Sequence, residues 1–372
     1  MAVTLTPLGT SLVSAALALS AMPAARAETA PERATVALKV LDYLDSQPGT
    51  QRVRVFSPSL LLLAPVGGNW AIGGTLTSDA ISGASPAYHS SGLGQLRDHR
   101  NAIELLATRY FDHASLTMGA NLSHESDYLS RGVSLLGSVS NESKNTTWTA
   151  GLGFNSDSIN PSNGVVERER KRVSDLLLGL TQVLGTHDIA QINFGHSMGR
   201  GYFTDPYKVM DNRPRERNHT TLMTRWNHHF EGTGGSLRSS YRYYTDSYGV
   251  KAHTLGFEYV QPLPRGWTVT PLLRLYTQTA ARFYIDADPA TEPFPPNPPA
   301  DAVYFTEDHR LSAFGARTFG VKLAKQIDAD WLLDVKFERY GQRAAWTIGG
   351  TGSPGLAPFN ARSIQVGMAR QF

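Results

Sequence analysis

Residues 331–340 read Trp-Leu-Leu-Asp-Val-Lys-Phe-Glu-Arg-Tyr, and this stretch has the clearest period in the chain. Its apolar side chains fall on one face of an extended backbone: Trp331, Leu333, Val335 and Phe337. Three charged side chains fall on the other face: Asp334, Lys336 and Glu338. An alternation of period two predicts a β-strand with one apolar and one polar face.

The same alternation recurs along most of the chain, for example at Leu237–Asp246, His253–Tyr259, Val269–Gln278 and Ala190–Phe194. In each stretch the polar face carries charged or amide groups, which suit a water-filled lumen, and the apolar face suits lipid. This pattern predicts that the following charged residues face a lumen: Glu104, Arg225, Arg238, Arg242, Glu258, Arg274, Asp334, Lys336 and Glu338. Their mixed signs argue against a strongly ion-selective pore and allow mutual pairing.

Turn signals between these stretches predict about sixteen strands, with fourteen as the alternative count. We place the strands near 33–45, 51–64, 69–79, 98–110, 114–124, 127–140, 146–157, 171–184, 188–199, 215–230, 235–246, 251–261, 267–279, 309–324, 330–341 and 361–372. Short connections alternate with long polar ones at 80–97, 158–170, 200–214, 280–308 and 342–360. Short periplasmic turns opposite long external loops are typical of bacterial barrels. The predicted fold is an all-β, transmembrane, antiparallel up-and-down β-barrel with both termini on the short-turn side.

The N-terminal region resembles a secretory signal. Leu12–Ala21 is a short apolar run, and the small-x-small sequence Ala25-Arg26-Ala27 follows it. About ten apolar residues are too few to span a bilayer, although no Lys or Arg precedes the run. We therefore expect a cleaved signal at 1–27 and a single outer-membrane domain at 28–372, with a Pro-rich external loop at about 280–308. The expected location is the outer membrane of a Gram-negative bacterium.

The last predicted strand carries an apolar face of Ile364, Val366 and Met368 and ends at Phe372. A terminal Phe on an amphipathic strand looks like the signal that the outer-membrane insertion machinery reads. The expected partners are therefore outer-membrane lipid and that machinery. Arg370 interrupts the apolar face, but near the strand end its charge can extend into the interface.

Composition excludes several classes of function. The chain has no cysteine, which rules out disulfides, thiolate metal sites and Cys nucleophiles. A formal charge of +3 without a basic block or a binding motif argues against a nucleic-acid partner. The sequence also contains no common phosphate-binding loop, and we expect no cofactor and no metal.

Three short motifs are candidate sites of chemistry. Gly195-His196-Ser197-Met198-Gly199 matches the nucleophile-elbow pattern, but Gly201 and Pro206 stand where its helix should begin. His228 and His229 are adjacent on a strand, so their rings point to opposite faces and cannot readily share a metal ion. The turn His124-Glu125-Ser126-Asp127 is expected to be solvated rather than metal-binding. We therefore predict no catalytic residue, and an enzyme is not favoured.

Four segments together resemble a known family: Ile81–Pro86, Thr204–Lys208, Arg213–Arg217 and Tyr241–Asp246. They are similar to the family catalogued as domain of unknown function 3570, a group of exported proteobacterial proteins regarded as outer-membrane barrels. The resemblance runs over nearly all of the chain after the signal. Genes for family members often lie beside genes for a small lipoprotein, a thioredoxin-like protein and a flavin-transferring protein. The resemblance thus implies envelope lipoprotein or redox partners, and it supplies no catalytic residues and no ligand.

The family segments fall in external loops or at strand ends, where Asp205, Arg213, Arg215 and Arg217 are the candidate site residues. They could form a salt-bridged loop lock or part of a ligand site. Pro206 and Pro214 stiffen the same loop, which favours the lock.

Three functions follow as hypotheses. The first is a barrel that acts as a channel, a transporter or an envelope scaffold. The second is an outer-membrane hydrolase with a Ser/His/Asp cluster at the rim, for which Ser197 is the named nucleophile. The third is a soluble, secreted, all-β binding protein, in which the apolar strand faces are buried against a second sheet.

Overall fold

The computed structural model describes residues 29–83, 96–208, 210–286 and 298–372. The predicted signal at 1–27 lies outside these residues, as do parts of the loops predicted at 80–97 and 280–308. Within the described ranges, no helix is long and apolar enough to cross a membrane.

Sixteen antiparallel strands form one closed barrel, in which each strand pairs with its neighbours along the chain and the last pairs with the first. A separate pair of two-residue strands, β10 and β15, lies in the external connections. The strands are β1 Thr35–Gln47, β2 Thr50–Val66, β3 Trp70–Gly83, β4 Leu96–Tyr110, β5 Ala114–His124, β6 Tyr128–Ser140, β7 Thr146–Ile159, β8 Glu169–Val183, β9 Asp188–Gly201, β10 Asp211–Asn212, β11 Glu216–Phe230, β12 Gly235–Asp246, β13 Lys251–Leu263, β14 Trp267–Gln278, β15 Phe305–Thr306, β16 Phe314–Gln326, β17 Trp331–Arg343 and β18 Phe359–Gln371. The predicted fold class and the count of sixteen are confirmed, and the alternative count of fourteen is wrong.

The cross-strand register keeps apolar side chains on the outer face of the barrel. Val335 lies opposite Val366 on one side and Leu323 on the other, and its side chain is 48% exposed. Exposed aliphatic and aromatic side chains on this face match a belt against lipid tails. The third hypothesis required these faces to be buried against a second sheet, so its structural premise is wrong.

Five tryptophans point outward at the end of the barrel that has the short turns: Trp70, Trp148, Trp226, Trp267 and Trp331. Such a girdle is typical of a membrane–water interface. Arg370 lies in the same zone, with its guanidinium 5.1 Å from the ring centre of Trp331 and 4.5 Å from that of Phe372. The charge that interrupts the last apolar face is therefore placed over aromatic rings at the interface.

The opposite end carries the longer connections, and three of its connections are also short, at 48–49, 125–127 and 247–250. Parts of the longer connections fold onto the barrel. Tyr248, Val250, Ala281 and Leu311 form a buried cluster there, with Phe283 packed against it. This apolar packing fixes external backbone at the barrel mouth.

Candidate functional site at the barrel mouth

Two external stretches meet inside the mouth of the barrel: residues 202–215 and residues 305–313. We call residues 305–313 the inward segment. Gln278 at the end of β14 holds it, because its Nε2 donates to the carbonyl oxygens of Ser312 at 2.6 Å and Arg310 at 3.0 Å. The amide of Ala281 donates to the carbonyl of Leu311 at 2.8 Å. Leu311 is buried against Tyr248, so the segment is held by both hydrogen bonds and packing.

An ion cluster ties the two stretches together. The guanidinium of Arg213 donates to Asp211 Oδ1 at 2.8 Å and to Asp308 Oδ2 at 2.7 Å. Arg310 donates from Nε to both oxygens of Asp308 at 2.9 and 2.8 Å, and from Nη2 to Asp205 Oδ2 at 3.1 Å. Asp308 is fully buried and stands between the two arginines. The cluster therefore links loop 202–215 to the inward segment through one shared carboxylate.

Electrostatics favour the charged state of this cluster. Burial alone would raise the pKa of Asp308, but Arg310, Lys208 and Arg213 lower it well below the usual range. Burial opposes the charge of Arg213, and the carboxylates of Asp211 and Asp308 outweigh burial and raise its pKa. Charge-assisted hydrogen bonds therefore favour the ionised forms of Asp308 and Arg213, whereas burial raises the pKa of Asp211.

The four predicted loop residues lie in three environments. Asp205 and Arg213 belong to the ion cluster, and Arg217 pairs with Asp246 at 2.8 Å on the inner wall. Arg215 pairs with Glu169 at 2.5 Å on the exposed rim. All four take part in ion pairs, as in a loop lock, although none of these pairs joins two of the four.

Asp205, Arg213 and Arg217 also line a cavity of about 270 Å³, which we call the mouth pocket. Its strand side is built by Tyr128 and Lys171. Lys171 Nζ donates to the Tyr128 hydroxyl at 2.8 Å and pairs with Asp157 at 3.1 Å. Tyr202, Phe203 and Tyr207 complete the lining with aromatic rings. The pocket therefore combines aromatic surface with charges of both signs.

A cluster of three carboxylates lies at the edge of the mouth pocket. Side-chain oxygens of Asp98, Glu125 and Asp127 lie within 4.8 Å of one another, and such oxygens could hold a hard cation such as Ca²⁺. Glu125 is only 5% exposed, whereas the sequence predicted a solvated turn. Burial, together with the neighbouring charge of Asp98, raises the pKa of Glu125 to about 7. The Tyr207 hydroxyl donates to Asp127.

A second cavity, of about 390 Å³, lies on the lumen side of the inward segment, and we call it the lumen chamber. Arg242 and Arg274 contribute to its wall, and His309 and Arg310 reach it from the inward segment. Arg310 thus lines both cavities. The inward segment lies between the mouth pocket and the lumen chamber.

The register places all nine predicted lumen residues on the inner face, opposite the exposed aliphatic side chains. Among them, Lys336 pairs with Glu338 at 3.2 Å, and Asp334 pairs with Lys322 at 3.7 Å. Arg238 lies directly across from Glu258 in the register. Pairing is therefore partial, and the arginines gather on the wall formed by β11–β14.

The rim-hydrolase hypothesis predicted a Ser/His/Asp cluster. The register does set Ser197 beside His219, and His219 beside Asp246. However, the Ser197 hydroxyl is buried at 3% exposure, and the residue opposite it on β8 is Asp175, a carboxylate rather than an imidazole. Asp246 is committed to Arg217, to Tyr244 and to backbone amides rather than to the imidazole. This arrangement lacks the hydrogen-bonded chain that activates a nucleophile.

His228 and His229 lie on opposite faces of β11. His228 pairs with Asp188 at 2.8 Å, and His229 lies 3.1 Å from the Ser236 hydroxyl. Each imidazole has its own partner, and the two do not share one.

The site contains residues that sequence reasoning missed: Asp211, Asp308, Arg310, Tyr128 and Lys171. Asp308 lies 95 residues from Arg213, and Arg310 lies 105 residues from Asp205. No short motif connects such positions. Proximity to Arg213 and Asp205 arises only when the two external stretches fold into the mouth.

Comparison with solved structures shows the fold of an outer-membrane β-barrel. A bacterial polysaccharide outer membrane secretin matches with a TM-score of 0.52 at 8% identity, covering 91% of this chain and 98% of that chain. The siderophore receptor PirA from Pseudomonas aeruginosa matches with a TM-score of 0.46 at 8% identity, covering 92% and 80%. OccK11 (OpdR) from Pseudomonas aeruginosa matches with a TM-score of 0.45 at 9% identity, covering 91% and 96%. At these identities the likeness concerns fold alone, and the two lower scores carry no argument.

Comparison by sequence gives one family. The family model described as protein of unknown function (DUF3570) matches residues 89–169 and 164–363. No curated protein matches the chain significantly. The matched region includes the whole of loop 202–215, the inward segment and every strand that lines the lumen chamber.

Proposed function

The chain belongs to the DUF3570 family of proteins of unknown function, and we propose that it is a solute channel in the outer membrane of a Gram-negative bacterium. Its lumen is entered from outside past the inward segment. A barrel of sixteen strands is wide enough to leave an aqueous lumen. The outward apolar belt and the tryptophan girdle support placement in a bilayer.

The observation that carries this proposal is the position of Arg310. Its side chain lines the mouth pocket on one side and the lumen chamber on the other. A solute that leaves the mouth pocket for the lumen chamber passes this guanidinium. We assign the constriction between the two cavities to this guanidinium. The segment that bears it is held by Asp308, Gln278 and Leu311, so the fold itself fixes its position.

Conductance in planar lipid bilayers tests the proposal. The refolded wild-type chain is expected to give discrete conductance steps. Arg310→Ala removes the side chain between the two cavities and loosens the inward segment, so larger steps are expected. Arg215→Ala is the matched control, because Arg215 forms its ion pair with Glu169 on the exposed rim and lines neither cavity.

Heat-modifiable mobility on a denaturing gel first establishes that each sample is a folded barrel. A folded wild-type barrel that stays electrically silent would contradict the channel. Equal conductance for wild type and Arg310→Ala would leave a channel but would overturn the assignment of the constriction to the inward segment.

A further inference from the structure

The lumen chamber is walled by neighbouring strands from β12 to β17. Six of its inward side chains matter here: Arg242, Thr254, Arg274, Tyr276, Tyr340 and Gln342. They share the inner face because Arg242 lies across from Thr254, Thr254 from Tyr276, and Arg274 from Thr318, which in turn lies across from Tyr340. With a volume of about 390 Å³, the chamber falls within the usual size of small-molecule sites.

The charge of the chamber is of one sign. Arg242 and Arg274 are exposed to the lumen, and neither guanidinium forms an ion pair with any described residue. In contrast, Arg213, Arg217 and Arg310 all pair with buried or partly buried carboxylates. No Asp or Glu occurs among the described residues that line the chamber. Two uncompensated guanidiniums therefore face one cavity.

Two hydrogen-bond donors in the same wall lack partners. Gln342 is only 4% exposed; its Oε1 accepts from the Tyr340 hydroxyl at 2.8 Å, and its Nε2 has no partner among the described residues. The Thr254 hydroxyl is also buried and finds no partner in the described part of the chain. A buried polar group without a hydrogen-bond partner carries an energetic cost, because it has lost its bonds to water. A ligand that brings acceptor oxygens into the chamber would remove this cost.

Aromatic rings form another part of the chamber's surface. Tyr276 and Phe314 lie with ring centres 5.6 Å apart at 39°, and Tyr340 lines the chamber beside them. Aromatic rings supply contact area for a planar or apolar ligand body. A guanidinium suits a carboxylate or a phosphate group, which it can bind through two parallel hydrogen bonds, and two guanidiniums face this cavity.

We propose that the lumen chamber binds a small organic anion that carries a carboxylate or phosphate group on a planar or apolar body. Arg242 and Arg274 hold the anionic group, Gln342 Nε2 and the Thr254 hydroxyl donate to its oxygens, and the rings contact the body. This deepens the proposed channel function by giving its solute class. Binding itself does not require conduction, so the two can fail separately.

Isothermal titration of the folded full chain in detergent micelles tests the site. The probes are benzoate, phenyl phosphate and inorganic phosphate, with benzamide as the neutral analogue of benzoate. We expect benzoate or phenyl phosphate to bind at least tenfold more tightly than benzamide. The better of the two identifies the anionic group, and weaker binding of inorganic phosphate would show that the rings contribute.

The variants are Arg242→Gln with Arg274→Gln, and separately Gln342→Leu. The double variant should weaken anion binding at least tenfold while leaving benzamide unchanged, and Gln342→Leu should weaken it less. Arg238→Gln is the matched control, because Arg238 lies on the same strand and faces the lumen but does not line the chamber. Heat-modifiable mobility verifies folding of each variant.

Anions that bind no better than benzamide, or a folded double variant that binds them as wild type does, would overturn the anion site. Anion binding without conductance would leave the site standing and remove the channel. Conductance without anion preference in the titration would leave the channel standing and remove the anion site.

Discussion

At the scale of single residues, the carboxyl group of Glu125 links stability to pH. Its folded-state pKa is raised from 4.5 to about 7 by burial, with Asp98 adding to the effect. In the window between these values the folded chain holds a proton that the unfolded chain has lost. The free energy of unfolding therefore falls as pH rises through this window.

The substitution Glu125→Gln should remove this decrease in the free energy of unfolding with rising pH. Compared with wild type, the variant should be more stable by about 1–3 kcal/mol at about pH 8 and nearly equal below about pH 4.5. Urea unfolding of the refolded barrel at several pH values gives the difference. Glu142→Gln makes the same change on an exposed short turn and serves as the control. A stability difference that does not depend on pH would contradict this assignment.

Asp308 holds the two external stretches together at the mouth through its ion pairs with Arg213 and Arg310. Replacing it with Asn leaves Arg213 and Arg310 facing a neutral amide in a buried site. Removing one partner of a buried ion pair typically costs about 3–5 kcal/mol. We expect faster hydrogen exchange and proteolysis in loop 202–215 and the inward segment, with the barrel strands unaffected.

Glu169→Gln is the comparison for Asp308→Asn, because it breaks the exposed pair with Arg215, and such pairs contribute about 0–1 kcal/mol. If both substitutions change exchange at the mouth equally, Asp308 does not hold the two stretches together.

At the scale of strands, the alternating pattern was sufficient to predict the barrel. In β17 the inner face carries Asp334 and the outer face Val335, which a one-residue shift in register would reverse. The face of the barrel on which each side chain lies is thus predicted from its immediate neighbours in sequence. This local information predicts which charges face inward, as with Glu104 and Arg274.

The external segments were harder to predict for a physical reason. The strands β10 and β15 lie inside stretches predicted as loops, and they pair through Asp211 with Thr306 and Asn212 with Phe305. A strand of two residues is too short to show an alternating pattern in the sequence. The pairing of β10 with β15 depends on contacts between distant parts of the chain, such as that of Arg213 with Asp308. The sequence therefore predicts the candidate loop residues but not their partners or the cavities that they line.

The last strand allows a separate prediction about assembly. Phe372 is exposed at the short-turn end, and its amide donates to the carbonyl of Ala34 at 2.9 Å where β18 closes on β1. Deletion of Phe372 should lower the fraction of heat-modifiable barrel in outer membranes several-fold, because it removes an exposed ring and a backbone hydrogen bond where the barrel closes. Phe230→Ala removes another exposed aromatic at the same end and should have little effect. Equal folded fractions for both variants would contradict a role for Phe372 in insertion.

At the scale of the whole molecule, the two ends of the barrel differ in a way that predicts its orientation. Long connections and the mouth cavities lie at one end, and the short turns, the tryptophan girdle and both ends of the described barrel lie at the other. In bacterial barrels the short turns face the periplasm. The mouth pocket should accordingly face the outside of the cell.

Because the chain has no cysteine, single introduced cysteines can report this orientation without background. Val165, 66% exposed, lies in the connection before β8, and Leu184, 62% exposed, follows the same strand at its other end. In intact cells a membrane-impermeant maleimide should label Val165→Cys and leave Leu184→Cys unlabelled until the outer membrane is permeabilised. The opposite pattern would invert the barrel and place the mouth pocket in the periplasm. If neither variant is labelled before permeabilisation and both are labelled after it, the whole chain lies on the periplasmic side of the outer membrane. That outcome would remove the channel, since no part of the barrel would face the outside of the cell.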